Sequence, residues 1–408
     1  MDTQEIALLL RGTVATSRVD RSLLVRENSL IGVDGKGFVA HLEAVDTPAS
    51  QKLLSRIGRD LPRDCFVEIG KDGWILPGFV DTHIHAPQYI QAGLALDKPL
   101  MEWNGTTAAS VFGTISTEAN LVLVRAFLAA GLRGQIGKVA MDQNSIPSYI
   151  ETTASSLADT ETFIDKVRDL TAALPDEQRI VEPVVTPRFV PTCSIELMRG
   201  LATLAEQTGV RVQSHMCESQ GMVEACREML GGKSDVEVLD EVGLLHDRAE
   251  RQLPLREAWQ AGVKVGLGSD ISGGYRVGLD ENMRWAVGIS RLRQGQGQHL
   301  DAAEPGSNSV AITWQEAVYL ATLGGAQALG LDRERNVGTL EVGSAFDAQW
   351  IRVGGKGSRV EWFDLPDQDG QIKAVSVEEK LERWWCNGSE ADRKAVWVQG
   401  RRVYTQET

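Results

Sequence analysis

The sequence predicts an α/β fold with a central α/β part and extra β-strands supplied by both chain ends. Short apolar strand patterns bounded by turn residues fill the first 76 residues and return after residue 345. Between them, residues 77–345 alternate strand and helix patterns, which is typical of parallel strands joined by crossover helices. We therefore expect a central domain over 77–345 and a small β-sandwich domain assembled from 1–76 and 346–408.

Composition and charge exclude several classes of protein. The 408 residues are 42% apolar and 24% charged, values that suit a globular chain with a substantial core. The net charge of −14 repels phosphate backbones, so nucleic acid is not an expected partner. No apolar stretch approaches the ~20 residues of a membrane span, and no secretory signal pattern opens the chain. Five scattered cysteines without a C-x-x-C pair indicate reduced thiols, so we expect a cytoplasmic protein without a membrane partner.

The elements follow from local signals. In the N-terminal part, the turn Asp34-Gly35 between two alternating apolar segments predicts a β-hairpin. In the central part, a helical pattern over 194–207 is stopped by Gly209, and the β-branched segment that follows it predicts a strand. A second helix over 255–261 precedes another predicted strand, 263–267.

Two further signals complete the layout. Thr313-Trp-Gln-Glu316 is a capping-box pattern, which predicts a helix running to Gly330. Near the C-terminus, residues 348–353 and 395–399 alternate like strands, and Gly400 indicates a turn before a last strand.

The sharpest chemical motif is the segment Pro77-Gly-Phe-Val-Asp-Thr-His-Ile-His85. Only 6 of the 408 residues are histidine, so about 0.1 His-x-His pairs are expected by chance. Alternate residues of a strand face the same side, which lets His83 and His85 hold one metal ion together. The alternative to a metal-binding role is that both histidines are solvated residues of an edge strand. The apolar run before them favours an interior strand.

Two later segments place further candidate ligands directly after predicted strands. Gln213-Ser-His-Met-Cys-Glu218 offers His215 as a third nitrogen ligand and Glu218 as a general acid or base beyond it. Gly266-Leu-Gly-Ser-Asp270 offers a carboxylate that can bind metal and accept a proton from water. Alone, Asp270 would be a turn-capping residue. The order of these motifs, each at the carboxyl end of a strand, favours a shared site.

This combination resembles the amidohydrolase superfamily, and within it the guanine deaminases. The resemblance extends over nearly the whole chain and includes Val185-Thr-Pro-Arg-Phe189 and the segment from Gly266 to Tyr275. It implies a (β/α)₈ barrel with a metal at the carboxyl-terminal mouth, plus a β-domain built from both chain ends. It also implies a homodimer, since such enzymes are often dimeric.

The same resemblance implies the chemistry: zinc-dependent hydrolysis of guanine to xanthine and ammonia. The ligands of one Zn²⁺ per chain would be His83, His85, His215 and Asp270. The ion would lower the pKa of its bound water. Glu218 would protonate the ring nitrogen beside C2 and pass a proton to the departing ammonia.

Three more residues would bind the base. Gln88 and Arg188 would hydrogen-bond its polar edges, and Phe189 would pack near its ring. A salt bridge for Arg188 and a core position for Phe189 are the ordinary alternatives.

The sequence also departs from the family pattern. Only 55 residues separate His215 from Asp270, whereas three βα units of such a barrel need about 94. About 40 residues, including a strand that ends in histidine, have no counterpart, and His246 is a poor substitute. A second shortfall follows Met101-Glu-Trp103. The barrel is therefore expected to be incomplete unless other segments fill these places.

Two alternatives to a working guanine deaminase remain open. The shortened barrel is compatible with a non-catalytic isoform or pseudoenzyme that binds a partner or joins an oligomer. The motifs are also compatible with an amidohydrolase acting on another azaheterocycle, although the Thr-Pro-Arg-Phe segment favours guanine.

Overall fold

The structure is a computed structural model that describes residues 6–57, 59, 61–87, 104–244, 255–271, 277–297, 309–333, 335–363 and 374–406. The strands are β1 Ile6–Ser17, β2 Leu23–Asp34, β3 Val39–Ala44, β4 Phe66–Glu68, β5 Gly73–Pro77, β6 Phe79–Ile84, β7 Thr106–Phe112, β8 Arg133–Gly137, β9 Val139–Ala140, β10 Val181–Pro183, β11 Thr186–Pro187, β12 Ala348–Arg352, β13 Arg393–Val398 and β14 Arg401–Thr405. The α-helices are α1 Pro48–Leu54, α2 Thr117–Ala130, α3 Thr153–Ala172, α4 Ile195–Thr208, α5 Gln220–Met229, α6 Asp235–Glu241, α7 Leu255–Gln260, α8 Leu279–Gly295, α9 Trp314–Tyr319, α10 Gly325–Ala328 and α11 Val377–Asn387. A π-helical turn, Leu320–Gly324, joins α9 to α10.

Both chain ends contribute to one eight-stranded sheet, as the alternating patterns predict. Its strands follow the order β14-β13-β12-β5-β1-β2-β3, and β4 pairs with β1. The two ends meet where β5 pairs antiparallel with β12, with Ile75 opposite Trp350. The hairpin predicted at Asp34-Gly35 joins β2 to β3. The domain boundaries at 76/77 and 345/346 stay predictions.

The central part contains the predicted parallel strands. Strands β6, β7, β8 and β10 form a parallel sheet in the order β10-β8-β7-β6, and β9 pairs with β11 beyond it. All seven residues of β7 are buried, as expected for a parallel strand covered on both faces.

Two shorter segments extend this row of strands on its two sides. Residues 212 and 215 form isolated parallel bridges with residues 185 and 189. On the other side, the Thr82 N–H donates to the Leu267 carbonyl at 2.9 Å, and the Asp270 N–H donates to the His83 carbonyl at 2.9 Å. The segments 210–213 and 263–267 were predicted as regular strands. They pair at the predicted places without forming regular strands.

The strand row is shorter than an eight-stranded barrel in the described part of the chain. After the bridge at residue 215, the described residues up to 260 contain the helices α5, α6 and α7 and no strand. The row resumes at 263–271, beside β6. This agrees with the predicted loss of βα units between His215 and Asp270; His246 lies outside the described residues.

Two predicted helices begin at the caps that the sequence indicates, although the one predicted to run to Gly330 is interrupted by the π-helical turn and ends at Ala328. The Ser194 hydroxyl accepts the Leu197 N–H at 3.1 Å at the start of α4, and Gly209 ends the helix with φ of 67°. Thr313 and Glu316 form the predicted capping box at α9. Among the described residues, none of the helices is both long and apolar enough to cross a membrane.

A buried ion pair joins the terminal sheet to the parallel strands. Arg133 on β8 donates to Asp347 through Nε at 2.9 Å and through Nη2 at 3.1 Å. Both side chains are at most 5% exposed. Arg133 also donates to the side chain of Gln399, beside β13, so the pair lies at the junction of the two parts.

Candidate metal centre

Three histidines from two separate parts of the chain converge at the carboxyl ends of the parallel strands. His83 lies near the end of β6, His85 follows that strand, and His215 belongs to the segment that bridges to residue 189. One ring nitrogen from each lies within 4.8 Å of the others, and the Nε2 atoms of His85 and His215 are 3.1 Å apart. The predicted pair and the predicted third histidine therefore meet at one point.

Asp270, the fourth predicted ligand, lies beside two of these histidines. Its Oδ1 lies 3.3 Å from Nε2 of His83 and 3.5 Å from Nε2 of His85. The residue adopts φ of 49°, a left-handed conformation that Asp tolerates better than most residues. Its N–H bond to the carbonyl of His83 fixes the carboxylate beside the imidazoles.

Three of these distances match the spacing of ligand atoms around a zinc ion. Bonds of about 2.0–2.1 Å in a tetrahedral zinc site place neighbouring ligand atoms about 3.3 Å apart. The distances of 3.1, 3.3 and 3.5 Å lie around that value. Three imidazole nitrogens and one carboxylate oxygen are also ligand types that zinc accepts.

A backbone carbonyl fixes the ring orientation of His215. Its Nδ1 lies 2.6 Å from the carbonyl oxygen of Arg188. A carbonyl oxygen can only accept a hydrogen bond, so the ring nitrogen must be the donor. The Nδ1 atom therefore carries the proton and donates, which leaves the Nε2 lone pair of the neutral ring toward His85. This is the arrangement in which an imidazole binds metal and its other nitrogen donates to an outer partner.

Burial keeps the first histidine pair neutral. It lowers the pKa of His83 to about 3, with the neighbouring His215 and His85 acting in the same direction. Burial also lowers the pKa of His85 to about 4, assisted by His215 and Arg188. The pKa of Asp270 is raised by burial and by the nearby carboxylate of Glu218. Both imidazoles are therefore in the unprotonated form that binds metal near neutral pH.

Phe112 is a side chain of the site that sequence reasoning did not single out. Its ring centroid lies 4.8 Å from His83, 5.4 Å from His85 and 4.3 Å from His215. The residue ends β7 and is 2% exposed, so it forms an apolar wall behind all three imidazoles. An apolar residue at the end of a buried strand carries no distinctive signal in the sequence.

Asp81 was also missed, although a signal was present. It lies two residues before His83 on β6 and is an acid inside an otherwise apolar run. Its Oδ1 accepts the N–H of Ser269 at 2.9 Å and that of His83 at 3.2 Å. Burial raises the pKa of Asp81 to about 7. This carboxyl connects the strand of the histidine pair to the segment that carries Asp270.

Two of the predicted substrate residues, Arg188 and Phe189, lie beside His215. The Arg188 guanidinium carbon is 5.5 Å from the ring centroid of Phe189, and that ring lies 6.3 Å from the ring of His215. Arg188 also donates through Nη1 to the sulfur of Met141 at 3.7 Å. Glu218 is exposed and close enough to Asp270 to act on it electrostatically. Gln88, the other predicted base-binding residue, lies outside the described residues.

The comparisons decide the family. The model of the amidohydrolase family matches residues 74–252 and 246–403, which together make up most of the chain. The chain belongs to the amidohydrolase family. The two matched segments of this amidohydrolase meet at 246–252, within the interval where the sequence predicts missing residues.

Among its relatives, this amidohydrolase is similar to guanine deaminase of Rattus norvegicus. The two are 31% identical over 468 residues, covering 98% of this chain and 97% of the rat protein. That alignment exceeds the 408 residues of the chain by 60, so at least 60 aligned positions have no counterpart here.

Two solved structures share the fold. Guanine deaminase from C. acetobutylicum, with guanine bound in its active site, superposes with a TM-score of 0.76 and 24% identity, covering 97% of this chain and 100% of that one. An adenosine deaminase from Xanthomonas campestris with bound zinc gives a TM-score of 0.72 and 18% identity, covering 98% and 93%.

Proposed function

We propose that this amidohydrolase is a zinc-dependent guanine deaminase, which converts guanine and water to xanthine and ammonia. The observation that carries the proposal is the convergence of His83, His85 and His215 on one point, with the Asp270 carboxylate 3.3 Å and 3.5 Å from the first two. The full-length similarity to the rat guanine deaminase supports the choice of substrate. One Zn²⁺ per chain is the expected content.

In this proposal the ligands and the acid–base residue have separate tasks. Bound zinc lowers the pKa of water and so supplies a nucleophile near neutral pH. His83 and His85, which burial keeps neutral, would hold the ion together with His215, and Asp270 would add a carboxylate that can accept a proton from water. Glu218 protonates the ring nitrogen beside C2 and passes a proton to the departing amino group, which leaves as ammonia.

The neighbouring residues orient the base. The planar fork of Arg188 donates two parallel hydrogen bonds, which suits an acceptor-rich edge of guanine. Phe189 offers an apolar face beside the ring, and Gln88 offers an amide to the remaining polar edge. Because the carbonyl of Arg188 also orients His215, one residue would connect substrate binding to metal binding.

The test combines turnover with metal content. Purified protein is incubated with guanine, xanthine is followed by ultraviolet absorbance, and zinc per chain is measured on the same sample. We expect turnover and about one zinc, and Glu218→Gln should lower kcat about 10²- to 10⁴-fold without loss of zinc. Glu228→Gln, an exposed change on α5, is the matched control.

Two results would contradict the proposal. Bound zinc without turnover would favour a non-catalytic binding protein, the alternative that the missing βα units suggest. Turnover of a triazine or another purine, but not of guanine, would favour an amidohydrolase with a different azaheterocyclic substrate.

A further inference from the structure

The turn between His215 and Glu218 passes through a strained residue. Cys217 has φ of 52°, in the left-handed region that residues other than glycine, asparagine and aspartate rarely adopt. Its side chain cannot relieve the strain as Asn or Asp does, by bonding to its own local backbone. A conformation of this kind persists only where the surroundings hold it.

A fully buried carboxylate from another element holds this turn. Asp235, the first residue of α6, is 0% exposed. Its Oδ2 accepts the backbone N–H of Cys217 at 2.6 Å, and its Oδ1 lies 3.4 Å from the Cys217 sulfur. The bond from an amide to an ionised carboxylate is short and charge-assisted, so it is strong and directional.

The carboxylate is itself fixed by its helix. The capping box of Ser234 and Glu237 defines the first turn of α6, and Oδ1 of Asp235 also accepts the N–H of Val236 at 3.1 Å. A rigid helix start therefore presents both carboxylate oxygens to Cys217. The next residue along the chain is Glu218, whose carboxylate acts on Asp270.

We propose that Asp235 is a positioning residue that fixes the left-handed turn at Cys217 and thereby aims Glu218 at the metal centre. The inference rests on the proposed function and deepens it. Proton transfer needs the donor within hydrogen-bond reach of the substrate. A turn released from Asp235 would relax toward negative φ and rotate Glu218 away, while Arg188 and Phe189, on a different loop, stay in place.

Kinetics of Asp235 variants test the proposal. Asp235→Ala is expected to lower kcat for guanine about 100-fold, the loss typical of a misplacement of about 1 Å, with KM changed less than about threefold. Asp235→Asn, which keeps the volume, should give an intermediate loss and covers the case in which the alanine variant fails to fold. Ser234→Ala is the matched control, because it removes the cap of the same helix without touching Cys217.

A second-site change separates positioning from general stability. Glycine adopts positive φ without support. The double variant Asp235→Ala/Cys217→Gly should therefore have a kcat about 10-fold higher than that of Asp235→Ala alone. A global loss of stability would not be repaired by placing glycine in a loop. Absence of recovery, kcat of both Asp235 variants within twofold of wild type, or an equal loss in Ser234→Ala would overturn the proposal.

Thiol alkylation supplies a readout that does not depend on turnover. In the wild-type chain the Cys217 thiol donates to Asp235 and should react slowly with iodoacetamide, since the thiolate is the nucleophile. Asp235→Ala should raise the alkylation of Cys217, relative to the exposed Cys386 on the same chain, at least about threefold. An unchanged ratio overturns the contact itself. If the ratio changes but no form of the protein deaminates guanine, the proposed function is wrong, whereas the contact by which Asp235 holds the turn at Cys217 is supported.

Discussion

The Nε2 atoms of His85 and His215 lie 3.1 Å apart although 130 residues separate them in the chain. Nδ1 of His215 is committed to the carbonyl of Arg188, so its Nε2 lone pair faces the Nε2 of His85. A neutral His85 that carries its proton on Nε2 would donate a hydrogen bond to that lone pair. With the proton of His85 on Nδ1, two Nε2 lone pairs face each other, and a metal ion can bind between them.

Without one of these two histidines, zinc should no longer stabilise the folded protein. We expect His215→Ala to weaken zinc binding by more than the about 10- to 100-fold typical of losing an outer partner. Wild-type protein with free zinc at about 1,000 times Kd should gain about 4 kcal/mol of unfolding free energy over the metal-free form, and the variant should gain little. Urea unfolding with and without chelator measures both. His41→Ala is the control, because His41 is bonded to Ser50 and is not one of the three clustered histidines. This variant should keep the full zinc-dependent gain in unfolding free energy.

The metal-free protein should lose stability as the pH falls below 6.5. His83 and His85 stay neutral in the folded state to about pH 3 and 4, whereas unfolded histidine binds a proton near pH 6.5. The unfolded state therefore binds more protons in this interval, and the unfolding free energy falls by up to about 2 kcal/mol per ring between pH 7 and 5. Urea unfolding of metal-free protein across this range measures the slope. An identical slope in a His83→Gln/His85→Gln double variant would contradict the assignment.

Much of the fold was predictable because local signals and tertiary structure agree. Ser194 and Gly209 bound a helix by capping chemistry, and the alternation of His83 with His85 follows from strand geometry alone. His215 and Asp270 were predictable only from their order along the chain, because their meeting with the histidine pair depends on the parallel arrangement of distant strands.

The rest of the site depends on contacts that have no sequence pattern. Phe112 resembles any other apolar residue at a strand end until the strands are assembled. Asp235 resembles an ordinary acidic residue in the first turn of a helix, and only the fold brings its carboxylate to Cys217. The segments 210–213 and 263–267 have strand-like composition, but they pair with their neighbours through an isolated bridge and single backbone hydrogen bonds.

Replacement of Arg188 by lysine should separate charge from geometry. Lysine keeps the positive charge but has no planar fork, so Arg188→Lys should raise KM for guanine about 10- to 100-fold with a smaller effect on kcat. The backbone carbonyl that orients His215 is unchanged, so zinc content should remain at the wild-type value. Steady-state kinetics with zinc analysis check both parts. Arg199→Lys, an exposed change on α4, is the control, and an equal KM in both variants would argue against a role for Arg188 in binding the base.

The buried pair of Arg133 and Asp347 should be a main connection between the terminal sheet and the parallel strands. Asp347→Ala removes the buried negative charge that faces the Arg133 guanidinium and leaves the neutral Gln399 side chain beside it, so we expect a loss of about 3–5 kcal/mol in unfolding free energy. Lys166→Ala breaks the exposed pair with Glu118 and should change the unfolding free energy far less, because solvent screens that pair. Urea unfolding of the two variants beside wild type gives the comparison. Equal losses would mean that the two parts are held together by apolar packing and that the ion pair only fixes their orientation.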